Sequence, residues 1–187
     1  MKKTAILLST LLVTQQLLAQ TQIDKETIAT GKAVTQKLMS TLQKNLKTQM
    51  KEGGPMAAVK FCNIKALLLT QDVDKSFGKH IHVKRISLQT RNSSNTPTAS
   101  EAKILQNLQN LHDINKLPLF ILDKESGSMK FYKPLVIQKQ VCLKCHGDIP
   151  KNSQLDLFLK EHYPTDKAVN YKMNDLRGAV VVEIDQK

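Results

Sequence analysis

The sequence predicts an α+β chain in which two N-terminal helices precede a small antiparallel sheet. Three observations carry that reading. Apolar residues recur at helical spacing from Gln22 to Met50 (Ile23, Ile28, Val34, Leu38, Leu42, Leu46) and again from Pro55 to Gln71 (Met56, Val59, Ala66, Leu67, Leu69). From His80 to Leu88 the pattern changes to apolar–polar alternation of period two, the mark of a strand. Near the other end, Gly178 to Ile184 is rich in valine and isoleucine, which suit a pleated surface.

The remaining elements follow in order. Gly53-Gly54-Pro55 stops the first helix, and Pro55 fits the opening turn of the second. Arg91 to Pro97 is a polar loop, and Thr98 to Asn115 is a helix with Ile104, Leu105, Leu108 and Leu111 as its apolar stripe. Leu119 to Leu122 and Met129 to Tyr132 flank a Glu125-Ser126-Gly127-Ser128 turn and make a hairpin, which Pro134 to Ile137 extends. A short helix from Gln154 to Glu161 leads to a Tyr163-Pro164 loop and then the end strand. Strand pairing is expected to be mostly local, in a PAS-like sheet. No repeat or linker divides residues 20–187, which read as one domain.

Residues 1–19 read as a signal peptide: Met1-Lys2-Lys3 is a basic start, Ala5 to Leu18 an apolar run, and Ala19 a small residue at the cleavage point. The run is short and contains Gln15 and Gln16, which disfavours a permanent span, and no cysteine follows it to carry a lipid. The chain is therefore expected to be periplasmic or otherwise exported, with no stable membrane span after cleavage. Its formal charge is +12. The lysines are scattered and the aromatics do not interleave with them, so nucleic acid is not the expected partner. A basic surface favours acidic partners or anionic membrane surfaces.

Chemistry concentrates at Cys142-Leu143-Lys144-Cys145-His146. Cys-x-x-Cys-His is the attachment pattern of a c-type haem. The cysteine spacing lets both sulfurs reach the vinyl groups of one porphyrin, and the adjacent imidazole reaches its iron. A zinc site would call for a second ligand pair, which the chain lacks. A thioredoxin-type pair would open a helix after a buried strand, whereas Gly147, Asp148 and Pro150 interrupt the chain here. One covalent haem c is the expected cofactor.

Of the three cysteines, Cys62 has no partner by this arithmetic. The residues alone leave it open between a small buried hydrophobe and a second iron ligand. Met50, Met56, Met129 and Met173 are alternative ligands of the kind electron carriers use, and His80 or His82 would give bis-histidine ligation. Arg85 and Arg91 are candidates to pair with the haem propionates, and Tyr132 to donate a hydrogen bond nearby.

Four separated blocks resemble a bacterial family of single-haem c-type proteins, the Tll-type haem proteins, long classed as a domain of unknown function. They are Ala57 to Cys62; Val83 to Ser87 with Arg91-Asn92, Asn95-Thr96-Pro97 and Glu101; Tyr132 to Leu135 leading into the haem motif; and Tyr163-Pro164, Asp166, Ala168, Tyr171, Asp175 and Arg177-Gly178. The resemblance implies a PAS-like haem sensor domain, found in the family as free exported proteins and as extracytoplasmic parts of receptors. It also implies that Cys62 is the distal ligand opposite His146. The chain departs from the family at Ser93, where proline is common, and at Asn170 and Asn174, where glycine is favoured. Asparagine is the best stand-in for glycine at positive φ, so the backbone is expected to survive.

The function expected is a redox or small-ligand sensing module, acting through a signalling partner and able to meet a diatomic gas. An electron-transfer cytochrome is the alternative. An enzyme is not expected, since a peroxidase needs an open iron position and distal acid–base groups that no pattern here supplies.

Overall fold

The computed structural model describes residues 2–186, with side chains from Gln20 onward; the expected signal peptide, residues 1–19, lies outside the described side chains. Helix α1 spans Lys2–Ser76 but is broken at Gly53 (φ −152°, ψ 21°) and Gly54 (φ 66°, ψ −156°), which leave helical geometry. The two expected helices are thus two arms of one kinked element. Gly54 holds a conformation that residues with a Cβ rarely adopt.

Strand β1 (Ile81–Ile86) follows, then a 3-10 turn over Ser93–Asn95, α2 (Ala99–Asp113), β2 (Ile121–Glu125), β3 (Ser128–Val136), α3 (Gln140–His146), α4 (Gln154–His162) and β4 (Leu176–Asp185). A capping box fixes the start of α2: Glu101 N donates to Thr98 Oγ1 at 3.3 Å and Thr98 N to Glu101 Oε2 at 2.9 Å. Ser93 is the first residue of the 3-10 turn, a position that a proline would also accept.

The strands run antiparallel in the order β1-β4-β3-β2, giving the expected α+β class. Pairing is less local than expected. Only β2 and β3 form a hairpin, whereas β4, from the end of the chain, inserts between β1 and β3. The reason is burial. Ala179, Val180, Val181 and Val182 are at most 1% exposed, so this most apolar strand gains most by being covered on both faces.

One face of the sheet presents Val83, Phe131, Val180 and Val182 to Val34, Leu38 and Val73, drawn from both arms of α1. The other presents Ile86, Tyr132, Ala179 and Val181 to Leu105 and Leu108 of α2. At Gly31 the helix sits so close to the sheet that a Cβ would run into the Phe131 ring. Among the described residues no helix is long and apolar enough to cross a membrane.

Candidate haem site

Helix α3 is short and consists almost entirely of the haem motif, with Gly147 as its C-cap. It faces a cavity of about 610 Å³ bounded by both arms of α1, the sheet and the loops around residues 91–95 and 117–119. That volume lies within the roughly 300–1,000 Å³ usual for cofactor sites. Cys142, Cys145 and His146 line the cavity from α3, and Cys62 lines it from the second arm of α1. Residues more than seventy positions apart are thus brought together as the resemblance implied. All three cysteines are free and half-buried.

His146 is prepared as a ligand. Its Nδ1 lies 2.8 Å from Ala168 O, and a carbonyl only accepts, so Nδ1 carries the proton and Nε2 keeps a bare lone pair. Burial, followed by the nearby Arg177 and Arg91, pushes its pKa down to about 3, so the imidazole stays neutral. The surrounding loop is anchored to the motif: Tyr171 N donates to His146 O at 2.8 Å and Asn170 N to Gly147 O at 3.0 Å. Asn170 (φ 64°) and Asn174 (φ 71°) both take the positive φ expected where relatives favour glycine.

A family model, Tll0287-like, matches residues 15–185. The chain belongs to the Tll0287-like family. Among solved structures it is similar to the cyanobacterial haem protein Tll0287, with a TM-score of 0.64 and 21% identity over 87% of this chain and 96% of that one. At that identity the likeness is one of fold. No curated protein gives a significant match.

The polar residues of this Tll0287-like cavity divide by role. Arg85 projects from β1 on the α1 side of the sheet. Its Nε is buried without a partner, and no carboxylate pairs with it among the described residues. A buried guanidinium left unpaired costs several kcal/mol, which an anion facing it would offset. Two such anions fit: a haem propionate and the thiolate of Cys62. Burial is the larger effect and leaves the Cys62 thiol pKa raised, with Arg85 and Arg91 pulling against it. Arg85, Arg91, Arg177, Lys133 and Lys139 line the cavity, and no Asp or Glu does. The site is chemically suited to a bound dianion.

Arg91 is also bonded within the protein. It lines the cavity, but its Nε donates to Asp166 Oδ2 at 2.7 Å and its Nη2 to Cys145 O at 2.7 Å and Ala168 O at 3.1 Å. Its Nε and Nη2 thus hold the protein.

Tyr132 does not join the site. Side chains alternate along β3, so Phe131 and Lys133 face α1 while Tyr132 turns to α2, fully buried and with its hydroxyl unpartnered. Met173 packs on Ile137 and Tyr171 beside Cys142 and does not line the cavity. His80 and His82 are half-exposed, each 3.7 Å from an aspartate, Asp185 and Asp74. Met50, Met56 and Met129 are also absent from the cavity wall.

Two further lining residues were not among the sequence candidates. Met39 belongs to the helical stripe Thr35, Met39, Leu42, Gln43 and Leu46, which faces the cavity as one surface. Arg177 sits at a bulge: Leu135 pairs with Gly178, but Val136 pairs with Leu176. The extra residue re-aims Arg177 into the cavity. Gly178 permits this at φ 149°, where a Cβ would collide with Ile86 O. Among the described residues no group of three His, Cys, Asp or Glu side chains is placed to hold a bare metal ion.

Proposed function

We propose that this protein is an exported c-type haem-binding protein that serves as a redox-sensing module with His/Cys-ligated iron. One observation carries the reading: a single cavity gathers both motif cysteines, a neutral histidine with Nε2 bare, and a third thiol beside an arginine that lacks a counter-ion. The family membership and the haem-protein neighbour support haem as the ligand.

When bound, the haem supplies one-electron redox chemistry at its iron. The residues do the rest. Cys142 and Cys145 would hold the haem covalently, their S–H groups suited to thioether formation with its vinyl groups. His146 Nε2 and Cys62 Sγ, which line the same cavity, would be the iron ligands. Arg85 offsets the negative charge that Cys62 bears as thiolate. Loss of Cys62 from the site on reduction would free the arm that carries it to move and would make room for a small diatomic ligand. A signalling protein reads the movement. The Cys62 ligand occupies the position that a peroxidase would keep open, so no catalytic role is proposed.

Electron transfer is the second reading, favoured by the charged residues of the lining, all of them cationic, which suit an acidic redox partner. Ferric and reduced absorption and EPR spectra of the matured protein beside Cys62→Ala test both. A low-spin thiolate signature that vanishes in the variant supports His/Cys ligation. Loss of that ligand on reduction favours sensing, and its retention favours electron transfer. Identical spectra for the two proteins would sink Cys62 as ligand and make Met39 the next candidate.

A further inference from the structure

One carbonyl in the proximal loop serves two donors. Ala168 O accepts from His146 Nδ1 at 2.8 Å and from Arg91 Nη2 at 3.1 Å. The same Nη2 donates to Cys145 O at 2.7 Å, while Arg91 Nε donates to Asp166 Oδ2 at 2.7 Å. Asp166 closes the ring, its Oδ1 accepting from Ala168 N at 2.7 Å. The Arg91 and Asp166 side chains are only 12% and 9% exposed, so water competes little for these bonds.

The consequence for His146 is chemical as well as mechanical. A hydrogen bond from Nδ1–H to a strong acceptor raises the basicity of a ligating imidazole. A carbonyl already polarised towards a guanidinium is a weaker acceptor. The imidazole is then less imidazolate-like, and Nε2 donates less electron density. Lysine cannot reproduce this, because a point charge on a flexible stem does not span two carbonyls and a carboxylate at once.

We infer that Arg91 is a positioning residue for the proximal ligand: its fork fixes Ala168 O against His146 Nδ1 and tempers the donor strength of Nε2, so the geometry of Arg91, beyond its charge, helps set the reduction potential. This rests on the haem reading above.

The test uses the full matured protein and its Arg91→Lys and Arg91→Gln variants, read by potentiometric titration and ferric EPR. Positioning predicts that Arg91→Lys, with its charge intact, moves most of the way to Arg91→Gln. Both should be easier to oxidise by about tenfold in the equilibrium, or ~59 mV for one electron. Their ferric g-values should change in parallel. An Arg91→Lys protein with unmodified potential and spectrum, beside a shifted Arg91→Gln, would show that charge alone acts and would overturn the inference. Unchanged values in both variants would overturn it equally.

If Arg91→Lys fails to mature, hydrogen exchange in the unmodified protein decides. The Ala168, Asn170 and Tyr171 amides should exchange much more slowly than those of the exposed 148–152 stretch, and equal rates would mean no clamp exists. An unmodified protein that carries no haem would remove the functional reading itself, and that is seen before any variant is made.

Discussion

The two cavity walls that carry His146 and Cys62 are built on different principles. On the proximal wall His146 is bonded to Ala168, its backbone to Tyr171, and the whole loop to Arg91 and Asp166. On the distal wall Cys62 has no side-chain hydrogen bond. Its helical arm is held by packing of Ala58, Val59 and Val73, is tied to the sheet only near its far end, where Val83 N donates to Asp74 Oδ1 at 2.6 Å, and joins the first arm through Gly53 and Gly54. Hydrogen-bond networks fix direction, whereas apolar packing fixes only proximity. The contrast supports the proposed reading, in which His146 is the fixed ligand and Cys62 the displaceable one.

Four perturbations break or sharpen that comparison. The largest effect should come from Cys142→Ser with Cys145→Ser, which removes both attachment sulfurs and should abolish covalent haem. Haem staining of a denaturing gel reads it directly, and a persisting haem band would rule out thioether attachment here.

The next largest is the pH response of the proximal wall in haem-free protein. The folded pKa of His146 is near 3 against an ordinary 6.5. The unfolded chain therefore binds the extra proton between these values. Stability on this account is fully present above about pH 6.5 and falls by ~1.4 kcal/mol per pH unit as the pH drops towards 3. Urea midpoints across that window should fall more steeply than in His146→Gln. Parallel profiles would mean that the imidazole is not buried neutral.

On the distal wall, Gly54→Ala places a Cβ at φ 66°, ψ −156° and should cost about 1–3 kcal/mol, seen as a lower denaturation midpoint. If the kink also sets the reach of Cys62, the variant should show a weakened thiolate EPR signature. An unshifted midpoint would mean that the joint relaxes freely.

The smallest effect should be that of Tyr132→Phe. The hydroxyl is buried without a partner, so removing it should leave stability unchanged or raise it by up to ~1 kcal/mol. The haem spectrum should not move, because Tyr132 faces α2. A spectral shift would place Tyr132 in communication with the cavity after all.

These effects track how legible each region was. The proximal motif was readable because its chemistry lies within one short segment: Cys142, Cys145 and His146 are set by spacing along a single helical turn. Asn170 and Asn174 were readable because a positive φ is a property of one residue. Cys62 emerged from arithmetic and resemblance, not from local pattern. The partners of Arg91 were hidden, since Asp166 and Ala168 lie some seventy-five positions away and nothing in the Arg91 neighbourhood points to them. The bulge at Arg177 was hidden because a strand pattern does not reveal which partner residue goes unpaired.

By itself the sequence determined the α+β class, the helical arms and their break at Gly53-Gly54, the β2–β3 hairpin and the haem motif. All of these are encoded by contacts or conformational preferences spanning a few residues. Only the tertiary structure decided that β4 would occupy the sheet centre, that Tyr132 would face away from the cavity while Arg85 faced into it, and that Met39 and Arg177 would join its walls. Those outcomes depend on competition among distant segments for burial, and that competition is resolved only when the whole chain packs.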